Sequence, residues 1–181
     1  MLFKRKQLVT HEDYADDLIA MYTAAVDVAD SLLNLWQPEG GFERTAWREV
    51  FLFIFACTYN ALGTTSMDTA DAQAIGGLFW DSITYDMDAA DKELYRKRTE
   101  FYRSTLHDNL LRGKTSMKEI RKTQVFWLIQ TMLNDGEQPK PGDAVRAGGI
   151  RDQQFLENMG ESVHKEVFEA IAEMPKQYKL R

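Results

Sequence analysis

The strongest hydrophobic pattern in the chain is a nearly uninterrupted apolar run over residues 46–62. Every residue in 50–57 is apolar, and no charged residue occurs in 50–67. A helix that is hydrophobic on every side has no face suited to water, so it is buried in the folded protein. We therefore predict a buried central helix over residues 46–63.

Two other interpretations of this run were weighed. A membrane span needs about 20 mostly apolar residues, but Thr58 and Asn60 interrupt the run shortly after its strictly apolar part. A buried strand is the second alternative, because Val, Phe and Ile suit strands. However, no turn residues bound the run, and helical patterns lie on both sides of it. These features favour a buried helix and a protein without a membrane span.

Amphipathic patterns with helical spacing predict five further helices around the central one. In the first, apolar positions alternate spacings of four and three, and most acidic side chains fall on the other side. Thr10 with Asp13, and Ser116 with Glu119, are typical of capping boxes at helix starts. We expect a single all-α domain, a bundle of about six helices. The predicted helices span residues 11–36, 46–63, 69–86, 89–112, 117–134 and 151–174.

Particular residues are expected to end these helices or to join them. Gly63 is placed to end the central helix in a left-handed conformation, and Pro175 fits the end of the sixth helix. Asn60 is a buried amide that needs a partner, and we expect it to bond a neighbouring helix. The fourth helix carries the most charges, so we expect it at the periphery. Residues 135–149 form a long connection with Pro and Gly, which we interpret as packed over the surface.

Composition indicates one globular domain in a reducing compartment. The chain has 181 residues, of which 44% are hydrophobic, enough to bury a sizeable core. Its single cysteine, Cys57, excludes an internal disulfide and lies in the apolar run, where a buried structural thiol is expected. The first six residues carry basic charges but are not followed by the apolar region of a signal peptide. We expect a cytoplasmic protein.

Charge is unevenly distributed along the chain. Residues 7–90 hold fourteen acidic and two basic residues, whereas residues 92–122 hold ten basic and four acidic ones. If helices four and five present their bases on one surface, that surface attracts an acidic one. We define the basic patch as five of these residues and predict that it supports a salt-sensitive association with a partner protein or, most simply, a homodimer. The basic patch consists of Arg96, Lys97, Arg98, Arg121 and Lys122.

Nucleic acid is a further partner to consider for the same region, because aromatic residues lie among its bases. Tyr95, Phe101 and Tyr102 interleave with the basic residues, as base stacking and phosphate contacts would require. However, the net charge of −6 and a pI near 5.1 argue against nucleic-acid binding. The three aromatic residues also fall where the core face of the helix is expected.

Metal-binding motifs are incomplete in this sequence. Glu161 and His164 have the Glu-x-x-His spacing of di-iron bundles, but a second such pair is missing. The adjacent His107 and Asp108 are similar to the His-Asp pair of metal-dependent helical phosphohydrolases, which need separate His and Asp ligands as well. We therefore expect no stoichiometric transition metal and no cofactor.

No complete catalytic set is visible, and no phosphate-binding glycine loop, nucleophile elbow or paired Cys-x-x-Cys occurs. The sequence thus favours a non-enzymatic protein–protein interaction module that acts through helix faces and charged patches. The alternative is a helical metal-dependent hydrolase acting on a phosphorylated small molecule. The sequence does not decide whether the protein is an enzyme.

Overall fold

The computed structural model is an all-α bundle, as the sequence predicts. It describes residues 7–36, 43–111, 116–134, 136–139 and 150–180. The elements, in chain order, are β1 (Gln7–Val9), α1 (His11–Leu35), α2 (Glu43–Leu62), α3 (Thr69–Thr84), α4 (Ala89–Leu111), α5 (Met117–Leu133), α6 (Ile150–Gln177) and β2 (Tyr178–Leu180). Each helix lies within three residues of its predicted bounds at both ends.

Side-chain caps begin α1, α3 and α5. The hydroxyl of Thr10 accepts from the backbone N–H of Asp13 at 3.1 Å, and the Asp13 carboxylate accepts from the N–H of Thr10 at 2.8 Å. Asp68 caps α3. Ser116 caps α5, and its hydroxyl also donates to the Glu119 carboxylate at 2.9 Å. Such bonds satisfy N–H groups that have no partner inside the helix.

Helix α2 packs against all five other helices. Phe53, Ile54 and Phe55 have no exposed surface. The Phe55 ring lies 4.8 Å from that of Tyr95 on α4, measured between centroids. Cys57 is also fully buried, and burial raises the pKa of its thiol well above the usual value. These residues belong to the buried hydrophobic core.

The end of α2 differs from the prediction. Among the described glycines, positive φ occurs only at Gly136, so a left-handed cap at Gly63 is wrong. The chain instead leaves the helix through short i to i+3 bonds. The hydroxyls of Thr64 and Thr65 add bonds of 2.7 and 2.8 Å to the carbonyls three residues earlier. The last carbonyls of α2 are thus satisfied without a left-handed residue.

The fourth helix is not peripheral, contrary to expectation. Helix α4 has its most extensive contact with α2, and it buries Arg98, Thr99 and Tyr102. As predicted, Asn60 bonds a neighbouring helix, because its amide donates to the carbonyl of Thr99 at 3.1 Å. The charges of α4 are concentrated on its outer side, so a high total charge did not prevent the other side from packing.

The two ends of the described chain meet in a short parallel sheet that the sequence analysis did not predict. β1 pairs with β2, with Leu8 opposite Lys179. The hydroxyl of Tyr178 donates to the Asp17 carboxylate at 2.5 Å and ties β2 to α1. The predicted end of the sixth helix is wrong, because α6 continues through Pro175 to Gln177. Pro175 has no N–H to donate to the preceding turn, so the last turn of α6 has one backbone hydrogen bond fewer.

Candidate functional site

The basic patch does not form one surface, because Arg98 is buried. Its side chain is 4% exposed, and its Nε and Nη2 donate to the two carboxylate oxygens of Glu49 at 2.7 Å each. Nη2 also donates to the carbonyl of Gly136. The assignment of Arg98 to the patch is therefore wrong. Glu49 is itself buried on α2, and a buried carboxylate requires a paired cation.

The other members of the patch are in different environments. Arg96 donates to Glu93 at 2.7 Å and to Glu100 at 2.6 Å, and Lys97 lies 3.6 Å from Glu93. These exposed pairs on α4 itself reduce the net charge that the helix presents. Arg121 on α5 is half-buried, whereas Lys122 is exposed.

Helix α5 carries an exposed strip of two cations and one aromatic ring. Lys118, Lys122 and Phe126 are spaced by four residues, so they lie on one side of the helix. All three are exposed, and Phe126 retains 38% of its surface. We call these three residues the α5 face. Of these three residues the predicted basic patch contained only Lys122, although their spacing of four is visible in the sequence.

The outer side of helix α1 carries exposed apolar residues along most of its length. Ala20, Ala24, Asp27, Val28 and Leu35 are all exposed, and Leu35 retains 80% of its surface. We call these five residues the α1 face. They lie on one side of the helix together with the exposed Ser31, whose hydroxyl donates to the carbonyl of Asp27, and only Asp27 is charged. An exposed apolar strip of this kind is typical of a surface covered by a partner.

The same helix is long and apolar enough to cross a membrane by length and composition alone, the only such helix in the described part of the chain. Core helices of soluble bundles meet that criterion when they are buried, but only 22% of the apolar window in α1 is buried. The inner side of α1 packs against α2, α3 and α6. The unusual property of α1 is thus its uncovered outer side.

The candidate metal ligands are not brought together. His107 is exposed, Glu161 is half-buried and His164 is fully buried; the side chain of Asp108 lies outside the described residues. The part of the chain that the structure describes contains no group of three His, Cys, Asp or Glu side chains that could hold a metal ion. Most of the 135–149 connection also lies outside the described residues.

His164 belongs to a buried polar chain between α4, α5 and α6. Its Nε2 lies 2.7 Å from the Oε1 of Gln124, whose amide donates to the carbonyl of Tyr102 at 3.1 Å. This donation leaves the Gln124 oxygen as the acceptor, so Nε2 of His164 carries a proton. The ring stacks on Phe168, with 4.2 Å between centroids. Burial, with a smaller repulsion from Arg121, lowers the pKa of His164 to about 3.

This low pKa predicts a loss of stability in mild acid. The unfolded chain binds a proton at His164 near its ordinary value of 6.5, whereas the folded protein does not until about pH 3. The contribution of His164 to stability is therefore constant well above pH 6.5 and falls below it by up to about 1.4 kcal/mol per pH unit. Urea unfolding between pH 7 and pH 5 measures this slope. His164→Gln should flatten it, and an unchanged slope in that variant would show that other groups cause it.

Comparisons of the chain with protein families, curated proteins and solved structures find no match. The candidate surfaces therefore rest on this structure alone. They are the α1 face, which sequence analysis did not single out, and the α5 face, which replaces most of the predicted basic patch.

Proposed function

We propose that this protein is a non-enzymatic interaction module that associates with a second copy of itself through the α1 face. The observation that carries this proposal is the exposed apolar strip of α1, in which Val28 and Leu35 retain 42% and 80% of their surface. Ala20 and Ala24 lie beside them, and small residues allow another helix to approach closely. Burying such a strip against a partner removes apolar surface from water.

Charge supports a second copy as the partner. Residues 7–90 are strongly acidic and residues 92–122 are basic. The α5 face presents Lys118 and Lys122 beside Phe126, which complements the acidic and apolar character of the α1 face. Complementary charge fixes orientation and speeds encounter more than it adds affinity. The apolar contacts would supply most of the stability of the dimer. The two lysines of the α5 face would set the orientation of the two copies.

The positions of the two helices are compatible with a symmetric pair. Helix α1 packs mainly on α2, α3 and α6, whereas α5 packs mainly on α2, α4 and α6. The two faces thus belong to different parts of the bundle. In a twofold dimer, the α1 face of each copy would meet the α5 face of the other, so the contact would be made twice and the assembly would close.

A single substitution on the α1 face tests this proposal. Val28→Glu places a charge in the middle of the strip, at an exposed position where glutamate suits a helix. We expect the variant to sediment as a monomer at concentrations where the wild-type protein is a dimer. Ala90→Glu is the matched control, because Ala90 is exposed on α4 outside both faces. It should leave the dimer intact.

The α5 face is tested separately by charge reversal. Lys122→Glu should weaken the dimer, and combining it with Asp27→Lys should restore part of the lost association, because the charges are exchanged between the two faces. If Lys122→Glu leaves association unchanged while Val28→Glu abolishes it, α1 pairs with a different surface. If neither substitution changes the mass of a dimer, the proposal is wrong.

A further inference from the structure

A cavity of about 450 Å³ lies where the end of α2, the first half of α3 and the second half of α4 meet. Its volume is in the range of small-molecule sites. A smaller cavity of about 430 Å³ shares Tyr59 and Arg103 with it. Gly76 lies in the wall of the larger cavity and Gly77 in that of the smaller one. A Cβ at Gly76 would make ordinary contacts with Tyr59 and Leu62, and one at Gly77 would meet no atom within 4 Å.

Arg103 is held in the shared wall by neighbours on α2. Its Nε donates to the Oδ1 of Asn60 at 3.3 Å, and the amide of Asn60 donates in turn to the carbonyl of Thr99. Its guanidinium carbon lies 5.9 Å from the centroid of the Tyr59 ring, within the range of a cation–π contact. Asn60 is buried, so the exposed side chain of Arg103 is anchored at its Nε to a residue inside the bundle.

The end of the Arg103 guanidinium is available for a ligand. Within the described residues, its two terminal nitrogens have no hydrogen-bond or ion-pair partner. By contrast, Arg96 and Arg98 both donate to carboxylates. A guanidinium with free terminal N–H groups binds a planar carboxylate through two parallel hydrogen bonds. Arg103 is therefore placed to recognise an anionic group at the edge of the larger cavity.

The residues that line the larger cavity indicate how many charges the ligand carries and what its uncharged part is like. Of its described lining residues, only Arg103 is charged. Glu100 lines only the smaller cavity and accepts from Arg96 at 2.6 Å, so the larger cavity contributes one cation and favours a ligand with a single negative charge. Thr69 and Gln73 line the cavity from α3, one turn apart. The apolar part of the wall consists of Leu62, Met67, Ala72 and Leu106.

We propose that the larger cavity binds a small organic monocarboxylate. The carboxylate pairs with the terminal nitrogens of Arg103, and the apolar body lies against Leu62, Met67 and Leu106. A phosphate monoester carries up to two charges near neutral pH and would find no second cation among the described lining residues. This site lies on α2, α3 and α4, apart from the α1 face and the α5 face, so its test is independent of dimer formation.

Calorimetric titration of the full chain tests the ligand class. Sodium hexanoate and sodium benzoate are the two carboxylates. They are compared with hexanamide, which has the alkyl chain of hexanoate but no charge, and with butyl phosphate. All titrations are made at constant ionic strength. We expect one carboxylate per chain and at least about tenfold weaker binding of hexanamide, since hydrogen bonds to charged groups are the stronger ones. Equal binding of hexanamide, tighter binding of butyl phosphate, or no carboxylate binding below about 10 mM would overturn the proposal.

Two variants then locate the carboxylate. Arg103→Gln should weaken hexanoate binding at least about tenfold, whereas Lys97→Gln removes a charge from the same helix outside both cavities and should leave it unchanged. Ala72→Trp fills the larger cavity and should abolish binding while Arg103 remains. Thermal unfolding checks that each variant is folded. If Arg103→Gln is not folded, the binding result for Ala72→Trp decides the outcome. Binding that survives both the filled cavity and the loss of Arg103 would place the ligand elsewhere and refute the assignment.

Discussion

Replacing Arg98 by leucine should lower the free energy of unfolding by about 3–5 kcal/mol, because it leaves the buried carboxylate of Glu49 without its cation. Both side chains are 4% exposed, and the two hydrogen bonds that join them are 2.7 Å long. Arg98 also bonds the carbonyl of Gly136. The same substitution therefore removes a link between α4 and the segment that follows α5.

A double-mutant cycle separates the pair from its surroundings. Glu49→Leu alone should also be strongly destabilising, but Glu49→Leu with Arg98→Leu should recover much of the loss, since no charge then remains buried. Urea unfolding measures all three variants. Arg96→Leu, on the same helix but exposed, should cost less than about 1 kcal/mol. If the double variant loses as much unfolding free energy as the two single variants together, the two side chains are not coupled.

Phe53→Ala should cost about 3–5 kcal/mol of unfolding free energy, because truncating a fully buried aromatic side chain leaves a cavity. Phe53 has no exposed surface, and its ring meets that of Tyr102 at 5.2 Å between centroids in a T-shaped contact. It also lies 6.2 Å from the ring of His164 on α6. The side chain thus joins α2 to both α4 and α6.

Denaturant unfolding measures this loss, with Tyr85→Ala as the control. Tyr85 is also aromatic and lies outside both the α1 face and the α5 face, and it retains 81% of its surface. Its truncation should cost about 1 kcal/mol or less. A loss below about 1 kcal/mol for Phe53→Ala would mean that α2 does not occupy the middle of the core. Equal losses for the two variants would contradict the burial difference on which the comparison rests.

Local signals predicted the helices well. The capping pair Thr10 and Asp13 marks the first residue of α1, and the apolar run marks α2 almost to its ends. Asn60 was expected to bond a neighbouring helix because an amide inside an apolar run needs a partner, and it bonds Thr99. The capping pair and the apolar run each involve residues that are close in sequence. The burial of the Asn60 amide follows from its place inside the apolar run.

The hydrophobic and polar pattern of the sequence did not predict contacts between residues that are far apart in the chain. Arg98 has the same charge and nearly the same neighbours as Arg96, yet only Arg98 faces Glu49, which is 49 residues away. The sheet between β1 and β2 joins segments at opposite ends of the described chain, each too short to show a strand period. Arg103 is one of the ten basic residues in 92–122, and its sequence neighbours do not reveal a cavity that forms only where three helices meet.

Sedimentation of the wild-type protein at about 50 mM and 500 mM salt tests the proposed association most directly. These concentrations span the range over which exposed charges become screened at contact distance. We predict twice the chain mass of 20.9 kDa at low salt. At high salt we predict a weaker dimer, since the cations of the α5 face are screened while the apolar contacts of the α1 face remain. A mass of 20.9 kDa at both concentrations, up to about 100 μM protein where even weak complexes form, would contradict the account.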